Sequence, residues 1–145
     1  MARFLYRLSC GTLLGAQVFF AAVAAQIAFR SGLDRRTAGD LVGAMLARLD
    51  SSALALTAVA VLCAVRIGRR RLAVPPLLAG VCAAVSALLV TPAIHAVRIA
   101  GDVTSPQFGR LHAASSILLL AEAGLLLVAV WLAPGSGGGR TPDAT

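Results

Sequence analysis

The chain has 145 residues, 59% of them hydrophobic and 13% charged, with a formal net charge of +7, whereas soluble domains run at about 45–50% apolar and about 25% charged. At a mean hydropathy of +0.87, a chain this short cannot hide its apolar side chains in a soluble core. Its basic residues, all arginine, sit in short clusters between apolar runs, which excludes a disordered chain and a nucleic-acid partner and leaves a membrane protein.

A membrane-crossing helix takes about 20 mostly apolar residues, and lipid offers no partner for open backbone hydrogen bonds, so such runs must be helical. Four runs qualify. The first covers residues 8–29. Its basic start and Ala22-Val23-Ala24 resemble a signal peptide with its cleavage site, but apolar sequence continues to Phe29 and Gln17 interrupts the run, which favours retention as a helix. Gly11-x-x-x-Gly15 in this run is a small-residue face, read as packing within the bundle rather than as a dimer contact.

Residues 31–50 are patterned. Ala38, Leu41, Val42, Met45, Leu46 and Leu49 share one helical stripe, Arg36, Asp40, Ala44 and Arg48 occupy other sides, and Asp34 is an N-cap candidate. The pattern predicts an interfacial amphipathic helix over 36–49, lying on the headgroups or packing over the bundle mouth, and feeding a second span over 51–67. Gly68-Arg69-Arg70-Arg71 then turns the chain into a third span, 72–97. Pro75 and Pro76 sit near its start, where a missing N–H costs least, and Pro92 is expected to kink or end it before His95 and Arg98. A polar turn over 101–109 leads to the fourth span, 111–133. The tail, 134–145, has nothing to pack and is expected to be mobile.

The expected fold is all-α, an antiparallel bundle of four transmembrane helices with one interfacial helix between the first two. Arginines divide almost evenly between the two faces. The density of Arg66, Arg69, Arg70 and Arg71, against a face where Asp34, Asp40, Asp50 and Asp102 mix with arginine, places both termini in the cytoplasm of a bacterial inner membrane. Cys10, Cys63 and Cys82 lie in apolar runs, with no disulfide framework or zinc spacing among them.

Glu122 is the most informative residue. An ionisable group with about three apolar turns on either side is costly to insert, by roughly 2.5–3.5 kcal/mol on insertion scales for comparable charges, and so should face the bundle. It reads either as a proton-carrying or cation-binding group, or as a neutral acid acting as structural glue. Gln17, Thr57 and Ser86 are its expected midplane partners, one from each other helix. On the fourth helix His112, Ser115, Leu119 and Glu122 share a face, although His112 and Glu122 are about 15 Å apart at 1.5 Å rise per residue. His95, Arg98, Arg110 and His112 gather at one membrane face. They could hold an anion, a quinone headgroup, haem or copper; capping or interfacial histidines are the plainer alternative. Nothing here matches a catalytic triad, a phosphate-cradling loop or a dinucleotide fingerprint.

Several short pieces together resemble the transmembrane-protein-205-like (DUF4149-type) family of small membrane proteins. They are Gly15 with Phe19 and Phe20, Ala38-Gly39-Asp40-Leu41-Val42-Gly43, Pro92-x-Ile94-x-x-x-Arg98, Phe108-x-x-Leu111-His112-x-x-Ser115, and Glu122. The chain departs from that pattern at Leu119, where an Asn is expected, and in lacking an Asn near His95. The resemblance implies a helical integral membrane protein without an established activity.

The expected function is a small non-enzymatic membrane protein acting in transport, stress tolerance or membrane assembly, without a cofactor. Its partners are the lipid bilayer and a second copy or another membrane protein. The alternative is a haem- or copper-binding redox module using His112 and His95.

Overall fold

The computed structural model describes residues 1–101 and 105–133. The expected mobile tail, Asp102 and Arg140 lie outside them. Four long helices account for nearly all of the described chain: α1, Ala2–Arg30; α2, Arg35–Arg66; α3, Arg70–Ile99; and α4, Pro106–Leu132. Each packs on its sequence neighbours, and α4 closes back on α1. Short connections make all four contacts antiparallel, so the bundle runs up, down, up, down.

All four helices are long and apolar enough to cross a bilayer, and the surface agrees with that. Phe4, Leu8, Phe19, Ile27, Leu62, Leu88, Leu120 and Trp131 are all exposed. So wide an apolar surface is suited to lipid rather than water. The protein is a multi-pass integral membrane protein.

The connections have local causes. The Asp34 carboxylate accepts from the backbone N–H groups of Arg36 and Thr37, both at 3.0 Å, which caps α2 at its predicted residue. Gly68 ends α2 at φ +77°. Its N–H reaches Val65 O and that of Arg69 reaches Ala64 O, a Schellman motif that a side chain at residue 68 would strain. Ser105 caps α4 by accepting from Phe108 N at 3.2 Å.

Three expectations need correction. No separate interfacial helix stands over 36–49: that segment is the first half of α2, which runs unbroken from Arg35 to Arg66. There is no Gly or Pro between residues 44 and 66 to break it, and Ser51 and Ser52 bond back to Ala47 O and Arg48 O within the same helix. Arg36, Asp40, Ala44 and Arg48 are all exposed, as are Leu41 and Met45 of the expected apolar stripe.

Pro92 does not end α3 either. The helix widens into a π-turn over Ser86–Val90 and continues as Thr91–Ile99. One extra residue in that turn accommodates a ring that would otherwise press on the preceding turn. Finally, Gly11 and Gly15 do not pack inside the bundle. Both are exposed, and an added Cβ on either would meet nothing within 4 Å.

The interior is unequal end to end. The half holding the start of α1 and the end of α4 is a dense apolar core of Tyr6, Cys10, Leu13, Cys63, Leu72, Leu126 and many alanines, whose small side chains bring the helices close. The other half is not filled in this way.

Candidate functional site

That second half contains a cavity of about 260 Å³ to which all four helices contribute. Its apolar walls are Phe20, Ala21, Ala25 and Phe29 of α1, Val42 and Leu46 of α2, Ile94 of α3 and Leu119 of α4. Polar atoms come from Thr91, His95 and Arg98 on α3 and from His112, Ser115 and Ser116 on α4. Thus His95, Arg98, His112 and Ser115, four of the residues singled out from sequence, line one space. The α1 wall includes its own π-turn, Phe20–Ala24, so both π-turns among the described residues border or adjoin the cavity. Such turns often mark functional sites.

Arg98 is fixed rather than free. Its Nη1 donates to Gly39 O at 2.6 Å and to Asp40 Oδ1 at 3.1 Å, the latter also an ion pair. Gly39 and Gly43 form the seat: a Cβ on Gly39 would lie 2.9 Å from Arg98 Nη2, and one on Gly43 would lie 3.4 Å from Nη1. On its other side the guanidinium stands 5.9 Å from the centre of the Phe108 ring, a cation–π distance. Phe108 in turn stacks on His112 at 6.3 Å and 7°. The arginine is therefore bound to α2 and α4 at once. Most of the pieces behind the family resemblance, from Gly39 and Gly43 to Arg98, Phe108, His112 and Ser115, meet here. Thr91 Oγ1 is buried on this wall without a protein partner.

Beyond the cavity floor lies a second polar group. Glu122 is 2% exposed and has Asp50, Gln17 and Cys82 around it. Asp50 is 3% exposed and accepts from Ser86 Oγ at 2.9 Å. Gln17 faces Glu122, and Ser86 bonds to Asp50. Thr57 is not with them: its hydroxyl bonds back to Ala53 O at 2.6 Å and Leu54 O at 3.2 Å, and it packs against Gly80. Asp50 takes its place. Read from sequence as an acid outside the membrane span, it lies half-way along α2 and points inward.

Among the described residues, no group of three or more His, Cys, Asp or Glu side chains is arranged to hold a metal. His95 and His112 are the imidazoles available to a haem or copper ion, and they share the cavity. Sequence reasoning missed Asp50, Thr91 and the Gly39–Gly43 seat. The Gly-x-x-x-Gly spacing at 39–43 was a usable signal, but only a facing arginine gives it meaning.

A family model described as a domain of unknown function (DUF4149) matches residues 8–103, well over half of the chain. The match takes in α1, α2 and α3, while Phe108, His112, Ser115 and Glu122 lie beyond it. No curated protein and no solved structure matches the chain.

Proposed function

The chain belongs to the DUF4149 family, a domain of unknown function, and from that premise we propose a non-enzymatic, membrane-embedded binding protein for a small amphiphile with an acidic head. One observation carries the reading: all four helices line one cavity, open at its mouth, where Arg98, His95, His112 and Ser115 converge above apolar walls. Ligand sites are mostly apolar spaces with a few placed polar groups, commonly about 300–1,000 Å³. At about 260 Å³ this one falls just below that range, which suits a short acyl chain better than a whole phospholipid.

The ligand enters from the face opposite the start of α1 and the end of α4. With both termini cytoplasmic, as the arginines of residues 66–71 favour, that face is the outer one, and the role is transport or stress tolerance at a bacterial inner membrane. A transmembrane-protein-205-like kinship rests on the quoted motif pieces. A second copy of the chain or another membrane protein is the partner that would extend such a role.

Decanoate is a suitable probe. Native mass spectrometry of the detergent-solubilised protein should show one decanoate retained, and Arg98→Gln and His112→Ala should each lose it. Arg110→Gln, an exposed arginine on the same face, should keep it. Equal retention by all four proteins, or by none, overturns the reading. One observation favours a second reading, haem or copper, namely that His95 and His112 line the same space. In that case the preparation shows a Soret band or stoichiometric copper, lost in His112→Ala.

A further inference from the structure

Each helix places one buried polar residue about a turn beyond its contribution to the cavity floor. Gln17 follows Phe20 downward on α1, Asp50 follows Leu46 on α2, Ser86 follows Thr91 across the π-turn of α3, and Glu122 follows Leu119 on α4. One turn is about 5.4 Å. Beneath them lies the closed apolar core of Leu13, Leu126 and their neighbours.

Two carboxyl groups are buried together here, and among the described residues no cation faces them. From α1 the titratable side chains on the buried side are Tyr6 and Cys10, both deeper in the apolar half, and from α3 there is Cys82 beside Glu122. On α2, Arg48 is exposed on the outside. Arg98 is occupied by Gly39 O and Asp40 at the cavity mouth, where His95 and His112 also sit. Two bare negative charges in so dry a place would cost several kcal/mol each, and paired carboxyls relieve this by holding a proton between them.

Gln17 distinguishes a proton from a metal cation. It is 1% exposed and its amide faces Glu122 closely, but neither its Oε1 nor its Nε2, nor Glu122 Oε1, makes a hydrogen bond of good geometry. A buried amide needs both an acceptor and a donor opposite it. A protonated carboxyl supplies both, a carboxylate answers only the N–H, and a sodium ion answers only the carbonyl. Asp50 already accepts from Ser86, the pattern of the charged member.

We infer that Asp50 and Glu122 form a proton site reached from the cavity, holding one exchangeable proton on Glu122 against Gln17 while Asp50 stays charged beneath Ser86. Uptake takes a proton from cavity water onto a Glu122 carboxylate oxygen, and release returns it to the same face. The site does not depend on what the cavity binds.

Infrared spectroscopy of the protein in lipid nanodiscs reads this directly, through the carbonyl stretch of a protonated carboxyl and its displacement in D₂O. Wild type should show one carboxyl's worth of this band at neutral pH, exchanging with D₂O. Glu122→Gln should abolish it, Asp50→Asn should move its disappearance to lower pH, and Asp34→Asn, at the exposed cap of α2, should leave it unchanged. Absence of the band from wild type overturns the inference without reference to any variant. So does its survival in Glu122→Gln. A band that changes when sodium is replaced by choline assigns the site to a metal cation and likewise overturns it.

Discussion

The guanidinium of Arg98 lies directly over Gly39, with Nη1 2.6 Å from the Gly39 carbonyl and Nη2 2.9 Å from where a Cβ on that glycine would stand. The near atom is the far end of a flexible side chain, so Gly39→Ala should displace the arginine rather than the backbone. Alanine improves helix propensity by about 1 kcal/mol, and the lost charged hydrogen bond costs about 1.5–3 kcal/mol. Net destabilisation should therefore be modest, about 1 kcal/mol, while decanoate binding falls as far as it does in Arg98→Gln. Thermal unfolding and native mass spectrometry on the one variant check both halves of this expectation.

Gly80 and Thr57 give the opposite case. A Cβ on Gly80 would come within 2.8 Å of Thr57 Oγ1, and that oxygen is held to Ala53 O at 2.6 Å on a short, stiff side chain. The helices must separate, so Gly80→Ala should cost about 1–3 kcal/mol. Adding Thr57→Ala removes the obstruction, and the double variant should recover most of the loss in a denaturation series.

Tyr6 ties the sealed end together. Its ring is fully buried and its hydroxyl donates to Leu72 O at 2.9 Å, joining α1 to the start of α3. Hydrogen bonds between membrane helices average about 0.6 kcal/mol, and buried ones in soluble proteins about 1 kcal/mol. Tyr6→Phe should lower stability within that range and leave the cavity untouched, with decanoate binding unchanged.

Acid should loosen the first turn of α2. The Thr37 hydroxyl, at 2.6 Å, and the backbone N–H groups of Thr37 and Arg36 hold the Asp34 carboxyl below its ordinary value of 3.8. The group therefore favours the folded turn in full above that ordinary value, and the contribution is lost as the pH falls through the lower, folded one. Amide exchange at Arg36 and Thr37 should rise over that interval. Asp34→Asn should remove the pH dependence while retaining a cap.

The four spans were legible because apolar runs in lipid have one backbone solution, and the fourth-helix stripe was legible because helical spacing fixes which residues share a side. What the sequence hid was depth on α2. Asp50 follows an amphipathic stretch and reads as the acid at a membrane boundary, which set the expected span to begin at Ser51 and moved its polar partner to Thr57. Only the pairing of α2 with α3, through Ser86, shows that Asp50 points inward. Pro92 misled for a related reason, since a proline's effect depends on whether the turn before it can widen. The two glycine pairs were weighted the wrong way round: Gly11 and Gly15 face outward, while Gly39 and Gly43 meet an arginine some sixty residues away that no local pattern reveals.

The central claim is that one half of the bundle is sealed and the other opens to a single face, and thiol accessibility tests it most directly. Cys10 and Cys63 are buried in the sealed half and Cys82 lies within α3 beside Glu122, so the native chain should resist a membrane-impermeant thiol reagent. Ser115→Cys should react from one side of a sealed vesicle, and Leu126→Cys from neither. Labelling of Leu126→Cys, or of Ser115→Cys from both sides or from neither, would contradict the account.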